Sequence, residues 1–310
     1  MKYSIAQESR IGGREINQDR AGSISTTEAV LLMVADGMGG HMQGEVAAQI
    51  AIDTLTEQFR RLATPRLQNP AAFLSVAMRI AHQTIVRYAD ECRIPAHAAP
   101  RTTCIACVIQ DGTACWAHAG DSRLYLVHGS DHNSHRVAHT RDHSIVQRML
   151  DEGQITQEEA ASHPLRHRVF SCLGGDATPQ IEVSPPVVLM DGDVVALCTD
   201  GAWAPMGPEA AKLVASLGGA PLNTTIPDLL DTAEQVAGDG ADNLTIIALR
   251  WEAPAIAAGI DVDQDTITIT VVGQVADQRV EEVPISDAEI ERAIADIRQR
   301  ISRTPSNRTP

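Results

Sequence analysis

The sequence predicts an α+β fold in which antiparallel sheets are covered by helices. Strand-like segments follow one another in runs instead of alternating with helices. Two of them are joined by the tight turn Gln110-Asp111-Gly112-Thr113. Two long amphipathic helical patterns lie side by side near the N-terminus. At 310 residues, 44% apolar and 21% charged, the chain is globular, with room for about two average domains or one large domain with an appendage.

The elements read in order as follows. Strands are expected at Tyr3–Glu8, Val30–Asp36, Thr102–Gln110, Thr113–Ala119, Ser122–His128, Asp193–Thr199 and Leu244–Arg250. From Glu45 to Leu62, Ala47, Ile50, Ala51, Leu55, Phe59 and Leu62 fall on one helical face. From Ala71 to Glu91, Phe73, Val76, Ala77, Ile80, Ala81, Ile85 and Tyr88 do the same. Between His128 and Gly175 the strands are expected to stop. Short helices are expected there at Asp142–Leu150 and Thr156–Ala161, the second opened by a Thr156/Glu159 capping box.

The charge balance narrows the function. Forty acids against 25 bases give a net charge of −15, and all the bases but Lys2 and Lys212 are arginines. Such a surface repels nucleic acid and anionic membranes and suits divalent cations. No apolar run approaches the ~20 residues a bilayer needs, and the N-terminus lacks the apolar core of a leader, so a cytoplasmic protein is expected. The cysteines then count as reduced. Cys104 and Cys107 form a CxxC, but on a strand residues three apart point to opposite faces, so one metal or one disulfide cannot easily collect both.

Aspartates recur at the ends of apolar strands: Asp36 before Gly37, Asp121 after Gly120, Asp200 before Gly201, and Asp242 before Asn243-Leu244. Singly, each reads as an ordinary turn residue. Together, buried carboxylates would repel one another unless a cation joined them. Oxygen-only ligands suit Mg2+ or Mn2+ better than zinc.

Seven motifs occur in order: Arg14-x-x-Asn17-Gln18-Asp19, Ala35-Asp36-Gly37-Met38-Gly39-Gly40-His41, Thr102-Thr103, Ala117-His118-Ala119-Gly120-Asp121-Ser122-Arg123, Thr140-Arg141-Asp142-His143-Ser144, Cys198-Thr199-Asp200-Gly201 and Asp242-Asn243-Leu244-Thr245. Together they resemble the bacterial branch of the metal-dependent protein phosphatases, the PPM or type 2C family, over residues 2–252. The resemblance implies a four-layer α-β-β-α sandwich with a flap insertion at about 129–175, and hydrolysis of phosphoserine and phosphothreonine in proteins. It implies that Asp36 bridges two Mn2+ or Mg2+ ions with the Gly37 carbonyl, that Asp200 and Asp242 complete one metal, and that Asp19 holds water on the metals. It further implies that Arg14 grips the substrate phosphate, while Asp121 with Asp200 matches a third-metal position. A Ser/Thr kinase is an implied partner and substrate, and a monomer is expected.

Departures and rivals narrow the reading further. Met38 stands where animal members often carry a histidine, so no leaving-group acid is identified; His41 is the nearest alternative. Arg101 replaces a common glycine. His128, His132, His135, His139 and His143 have helical metal-ligand spacing, yet Gly129, Ser130, Asp131, Asn133 and Ser134 between them are loop formers, which favours a hairpin tip. The cysteines lie on apolar strands, not in an HCxxxxxR loop, so a cysteine phosphatase is not supported. A phosphodiesterase would want histidine ligands at strand ends. A catalytically weak phosphoprotein-binding module of the same fold is disfavoured because Asp36, Gly37, Asp200 and Asp242 are all present.

Beyond Glu252 a small-residue linker leads to a strand pattern at Thr266–Val272, a second at Arg279–Val283, and a helix opened by Ser286 that carries Ile290, Ala293, Ile294, Ile297 and Ile301 on one face. This extension, 253–310, has no Asp-Gly strand end and is expected to be accessory. Protein truncated after Glu252 is predicted to keep Mn2+-dependent turnover of small phosphopeptides. Loss of turnover from a truncated protein with native circular dichroism would show that the extension helps build the active site.

Overall fold

The computed structural model describes residues 1–38, 43–128 and 136–252. Among the described residues, one sheet is ordered β1 (Lys2–Arg10), β13 (Leu244–Glu252), β12 (Val194–Cys198), β7 (Arg123–His128), β8 (Arg136–His139), all antiparallel. The other runs β10 (Glu182–Val183), β6 (Thr113–Ala119), β5 (Cys104–Gln110), β3 (Ala29–Met38), β4 (Arg101–Thr102), β9 (Leu173–Gly174), with β2 (Asp19–Ser25) also on β3 and β11 (Val187–Val188) also on β6. Helices α1 (Gly44–Leu62) and α2 (Pro70–Glu91) cover the second sheet. Helices α6 (Ala210–Ala215) and α7 (Leu222–Ala237) cover the first. This is the expected four-layer sandwich.

The continuous apolar run of β3 follows from burial on both faces. Val30, Leu32 and Val34 point into the layer between the sheets, against Leu124, Leu197, Ile247 and Leu249. Leu31, Met33 and Ala35 point the other way, into the layer under α1 and α2 with Ile50, Leu55, Phe59 and Met78. Strand β13 divides likewise: Ile247 and Leu249 face the other sheet, while Ile246 and Ala248 face α7. Each of the larger side chains contributes roughly 1.5–3 kcal/mol on burial. Cys104 and Cys107 fall in opposite layers, as the strand period requires.

The structure departs from the sequence reading in several places. The run Thr102–Gln110 is broken at Thr103, whose backbone turns to bond Asp36. The interval 128–175 is not free of strands: β8 pairs with β7, and β9 pairs with β4. Strand β2 was not foreseen because DRAGSIS is polar and pairs only with β3, at a sheet margin. Helix α7 was not foreseen because Pro227, Thr224 and Thr225 are weak helix formers; its apolar face, Ile226, Leu229, Leu230 and Ala233, overrides them. Helix α3 (Ile145–Asp151) starts three residues later than expected, capped by Ser144, which accepts from the Gln147 amide. Helix α4 (Gln157–Ser162) has its Thr156/Glu159 capping box.

His128 and His139 lie on the paired strands β7 and β8. His128 pairs with Asp193 at 3.1 Å, while His143 reaches Glu182. His41, His132, His135 and the expected elements of 253–310 lie outside the described residues. No described helix is long and apolar enough to cross a membrane.

Candidate metal centre

The strand ends meet at one end of the sandwich. Asp36 ends the buried part of β3, and in the β2–β3 register it lies opposite Asp19. Asp200 begins the short helix α5 (Asp200–Trp203) directly after β12, and Asp242 directly precedes β13. Asp121 sits in the turn between β6 and β7. Arg14, Asp36, Gly37, Asp121, Asp200 and Asp242 line one cavity of about 570 Å³, and Asp19 lies behind it, 3% exposed. The structure therefore brings together Arg14 and the five aspartates singled out as metal or phosphate ligands from the sequence.

The backbone around Asp36 is fixed by groups on three other segments. The Asp36 amide donates to Thr103 Oγ1 at 3.1 Å, and its carbonyl accepts from the Thr103 amide and the Thr102 hydroxyl, both at 2.9 Å. Thr103 Oγ1 in turn lies 2.7 Å from Ser122 Oγ, beside Asp121. Gly37 packs against the first turn of α1 so closely that a Cβ there would lie 2.2 Å from the Gly44 carbonyl oxygen. Gly120, at φ +117°, would drive a Cβ to 2.6 Å from the Thr103 side chain.

Asn243 holds the loop that carries Arg14. Its Nδ2 donates to the Ile11 and Ile16 carbonyls at 2.9 and 3.1 Å, and its Oδ1 accepts from the Gln18 amide at 2.8 Å. Arg14 Nη2 then reaches Asp242 Oδ2 at 2.8 Å. Thr199 donates its hydroxyl to Asp19 Oδ2 at 2.8 Å, whereas Asp19 Oδ1 is buried without a hydrogen-bond partner. The turn before Asp121 is backed by stacked imidazoles: His118 and His143 lie 4.4 Å apart, and His143 takes Gly120 O at 2.9 Å through its amide. Trp203 Nε1 donates to the Asp121 carbonyl at 3.2 Å.

Sequence reasoning gave no role to Thr199, Asn243, Trp203 or His167. The first two sit inside quoted motifs, where adjacency to an aspartate was the available signal. His167 came with none: it lies in the polar insertion, and only the fold brings its Nδ1 to 3.7 Å from Asp200 Oδ2.

The electrostatics show what this cavity accepts. Burial, followed by the charges of Asp200, Asp19, Asp121 and Asp242, holds the Asp36 carboxyl well above its ordinary range. Burial and Asp200 do the same to Asp121. Burial pushes Asp19 up to about 7, against the neighbouring Thr245 and Thr199 hydroxyls, which favour its anion. An all-oxygen set under mutual repulsion, with an orphaned carboxylate oxygen, fits hard divalent cations such as Mn2+ or Mg2+. It does not fit a thiol nucleophile: burial raises Cys104 and Cys198 to about 12.

The sequence profile of the protein phosphatase 2C family matches residues 6–232. The chain belongs to this family. A protein phosphatase 2C-type protein of Streptococcus pyogenes is 30% identical over 245 residues, 77% of this chain and 94% of the relative. The Mycobacterium tuberculosis serine/threonine phosphatase PstP/Ppp superposes with a TM-score of 0.67 at 29% identity, covering 81% of this chain and 99% of that one. The catalytic domain of the phosphatase PstP, solved in complex with two manganese ions, gives a TM-score of 0.64 at 27% identity, over 80% and 97% of the two chains. This member of the family thus shares its sandwich with bacterial serine/threonine phosphatases.

Repulsion among ionised carboxylates predicts a stability signature. Asp19 and Asp36 have folded-state pKa values above those of the unfolded chain. The stability they contribute is therefore complete below about pH 4, the unfolded carboxylate range, and is lost as pH rises through the folded values, about 7 for Asp19. Chelator-treated protein is expected to melt lower at pH 8 than at pH 5.5. Mn2+ should remove most of that difference, and Asp36→Asn should flatten it without metal. Thermal denaturation with EDTA or Mn2+ checks this; a wild-type slope untouched by Mn2+ would contradict it.

Proposed function

We propose that the chain hydrolyses phosphoserine and phosphothreonine in proteins at a Mn2+ or Mg2+ centre built from Asp36, the Gly37 carbonyl, Asp200 and Asp242. The observation that carries this is the convergence of these aspartates with Arg14 in one cavity. The manganese-bound relative supports it. In this reading Asp36, the Gly37 carbonyl, Asp200 and Asp242 would hold the ions, Asp19 would hold water near them, and Asp121 with Asp200 would serve a further ion. When bound, the ions supply a water acidified enough to attack phosphorus near neutral pH. Arg14, held at the rim by Asp242, presents a planar guanidinium to the phosphoryl oxygens, where negative charge resides in both ground and transition states. Asn243 and Thr103 keep the Arg14 loop and Asp36 in place, so that little rearrangement accompanies reaction.

The phosphatase unit is read as 1–252, with a flap at about 129–175 and an accessory extension at 253–310. A Ser/Thr kinase is the proposed counterpart, phosphorylated by its own activity and reversed here, and the working form is proposed to be the monomer. A reducing, cytoplasmic setting is supported by the free thiol state of all six cysteines. The first test is phosphate release from a phosphothreonine peptide with and without Mn2+; no release in either condition would refute the reading.

Two substitutions separate the roles. Asp36→Asn should lower turnover by at least about a hundredfold at saturating Mn2+, since it weakens the attachment of both ions. Wild-type turnover from that variant would reduce Asp36 to a turn residue. Asp121→Ala should slow phosphopeptide hydrolysis while calorimetry still counts two bound ions. Loss of all metal binding, or unchanged kinetics, would count against a third-ion role.

A further inference from the structure

Beside the metal centre the insertion and the α5–α7 side enclose a second, larger cavity of about 720 Å³, open to the first through Arg14, Asp121, His167, Asp200 and Asp242. Its size and continuity with the centre suit the residues that flank a phosphorylated side chain. Three arginines line it. Arg123 is spent: it makes a two-pronged pair with Asp142, both contacts 2.8 Å, with Trp203 stacked 3.3 Å from its guanidinium. Arg14 is held by Asp242. Asp121, Asp200 and Asp242 belong to the metal centre, and Asp142 is neutralised by Arg123. Arg166 remains: it is exposed, and its guanidinium has no ion-pair or hydrogen-bond partner among the described residues.

The backbone at Arg166 is tied into a turn. Its amide donates to His163 O at 3.0 Å, and the Arg168 amide donates to Leu165 O at 3.0 Å, closing a tight turn. That turn hangs from the body by the Ser144–Val169 bridge and the Ile145 amide on Arg168 O at 2.8 Å. The next residue, His167, lies 3.7 Å from Asp200. On a chain with a net charge of −15, an uncompensated guanidinium lining the cavity beside the centre is a local reversal of sign.

We propose that Arg166 is a specificity-determining residue that selects phosphopeptides bearing a second anionic side chain, a carboxylate or another phosphate, within a few residues of the phosphorylated one. This rests on the phosphatase reading above. A guanidinium offers paired donors to either anion, and an acidic flank would otherwise meet a strongly acidic protein. Because Arg166 stands apart from the reacting phosphoryl group, the selection should appear in KM more than in kcat.

The test uses the full chain with Mn2+ and phosphothreonine peptides that differ only in flanking positions −3 to +3, each filled by alanine, glutamate, phosphoserine or arginine. Glutamate and phosphoserine at the preferred position should raise kcat/KM over alanine by about tenfold, as one charge-assisted contact would, and arginine should lower it. The preference should shrink with added NaCl. Arg166→Glu should invert the order in favour of the arginine peptide, and Arg166→Lys should restore much of it. The glutamate and phosphoserine arms separate a general anion preference from one for a second phosphate, and either pattern supports the proposal. Equal kcat/KM for all flanks in the wild type, or a preference that survives Arg166→Glu, overturns it while leaving the phosphatase reading intact. Absence of any phosphate release overturns both.

Discussion

The repulsion among Asp19, Asp36, Asp121, Asp200 and Asp242 is the constraint on which the rest of the molecule turns. An apolar sandwich has no intrinsic reason to gather carboxylates at one end, and burial makes each more costly to ionise. Everything nearby serves to keep them there. Thr102, Thr103 and Ser122 fix the Asp36 and Asp121 turns, Asn243 ties the Arg14 loop, and Thr199 holds one oxygen of Asp19. The stability this sacrifices is recovered when divalent cations bind, so the fold and its chemistry are linked through the same charges.

The apolar layers provide the rigidity that makes such a site tolerable. Strands β3, β12 and β13 are buried on both faces, and their ends are therefore among the least movable points of the chain. Placing the aspartates immediately at those ends transfers that rigidity to the cavity. The insertion is built differently: α3 and α4 are short, and it is joined to the body by the short ladders β7–β8 and β4–β9, the Ser144–Val169 bridge and a few hydrogen bonds. The metal centre and the proposed substrate contacts thus rest on different parts of the fold. Relatives can differ in the second without disturbing the first.

Arg123 illustrates how the two parts are joined. It lies on β7, pairs with Asp142 at the start of the insertion, and stacks on Trp203 after β12. Buried charge of this kind is poor evidence for stability. Its value is directional: it fixes where the insertion leaves the sheet, and with it the turn that bears Arg166 and His167.

Much of this was legible in the sequence because strand burial and turn chemistry are local. The apolar runs at Val30–Ala35 and Ile246–Leu249 forecast strands, and the strand-end aspartates forecast a cation site. Polar edge strand β2 and helix α7 with its Pro227 were not legible, since each is held by packing that outweighs its own propensity. The residue types able to bind metal, and the order of the motifs, are properties of the sequence alone. Which oxygens meet, that Thr103 leaves its strand to clamp Asp36, and that His167 arrives beside Asp200 and Arg166 in the adjoining cavity were decided only by tertiary structure. These contacts join residues far apart in the chain, and no local preference encodes the distance between them.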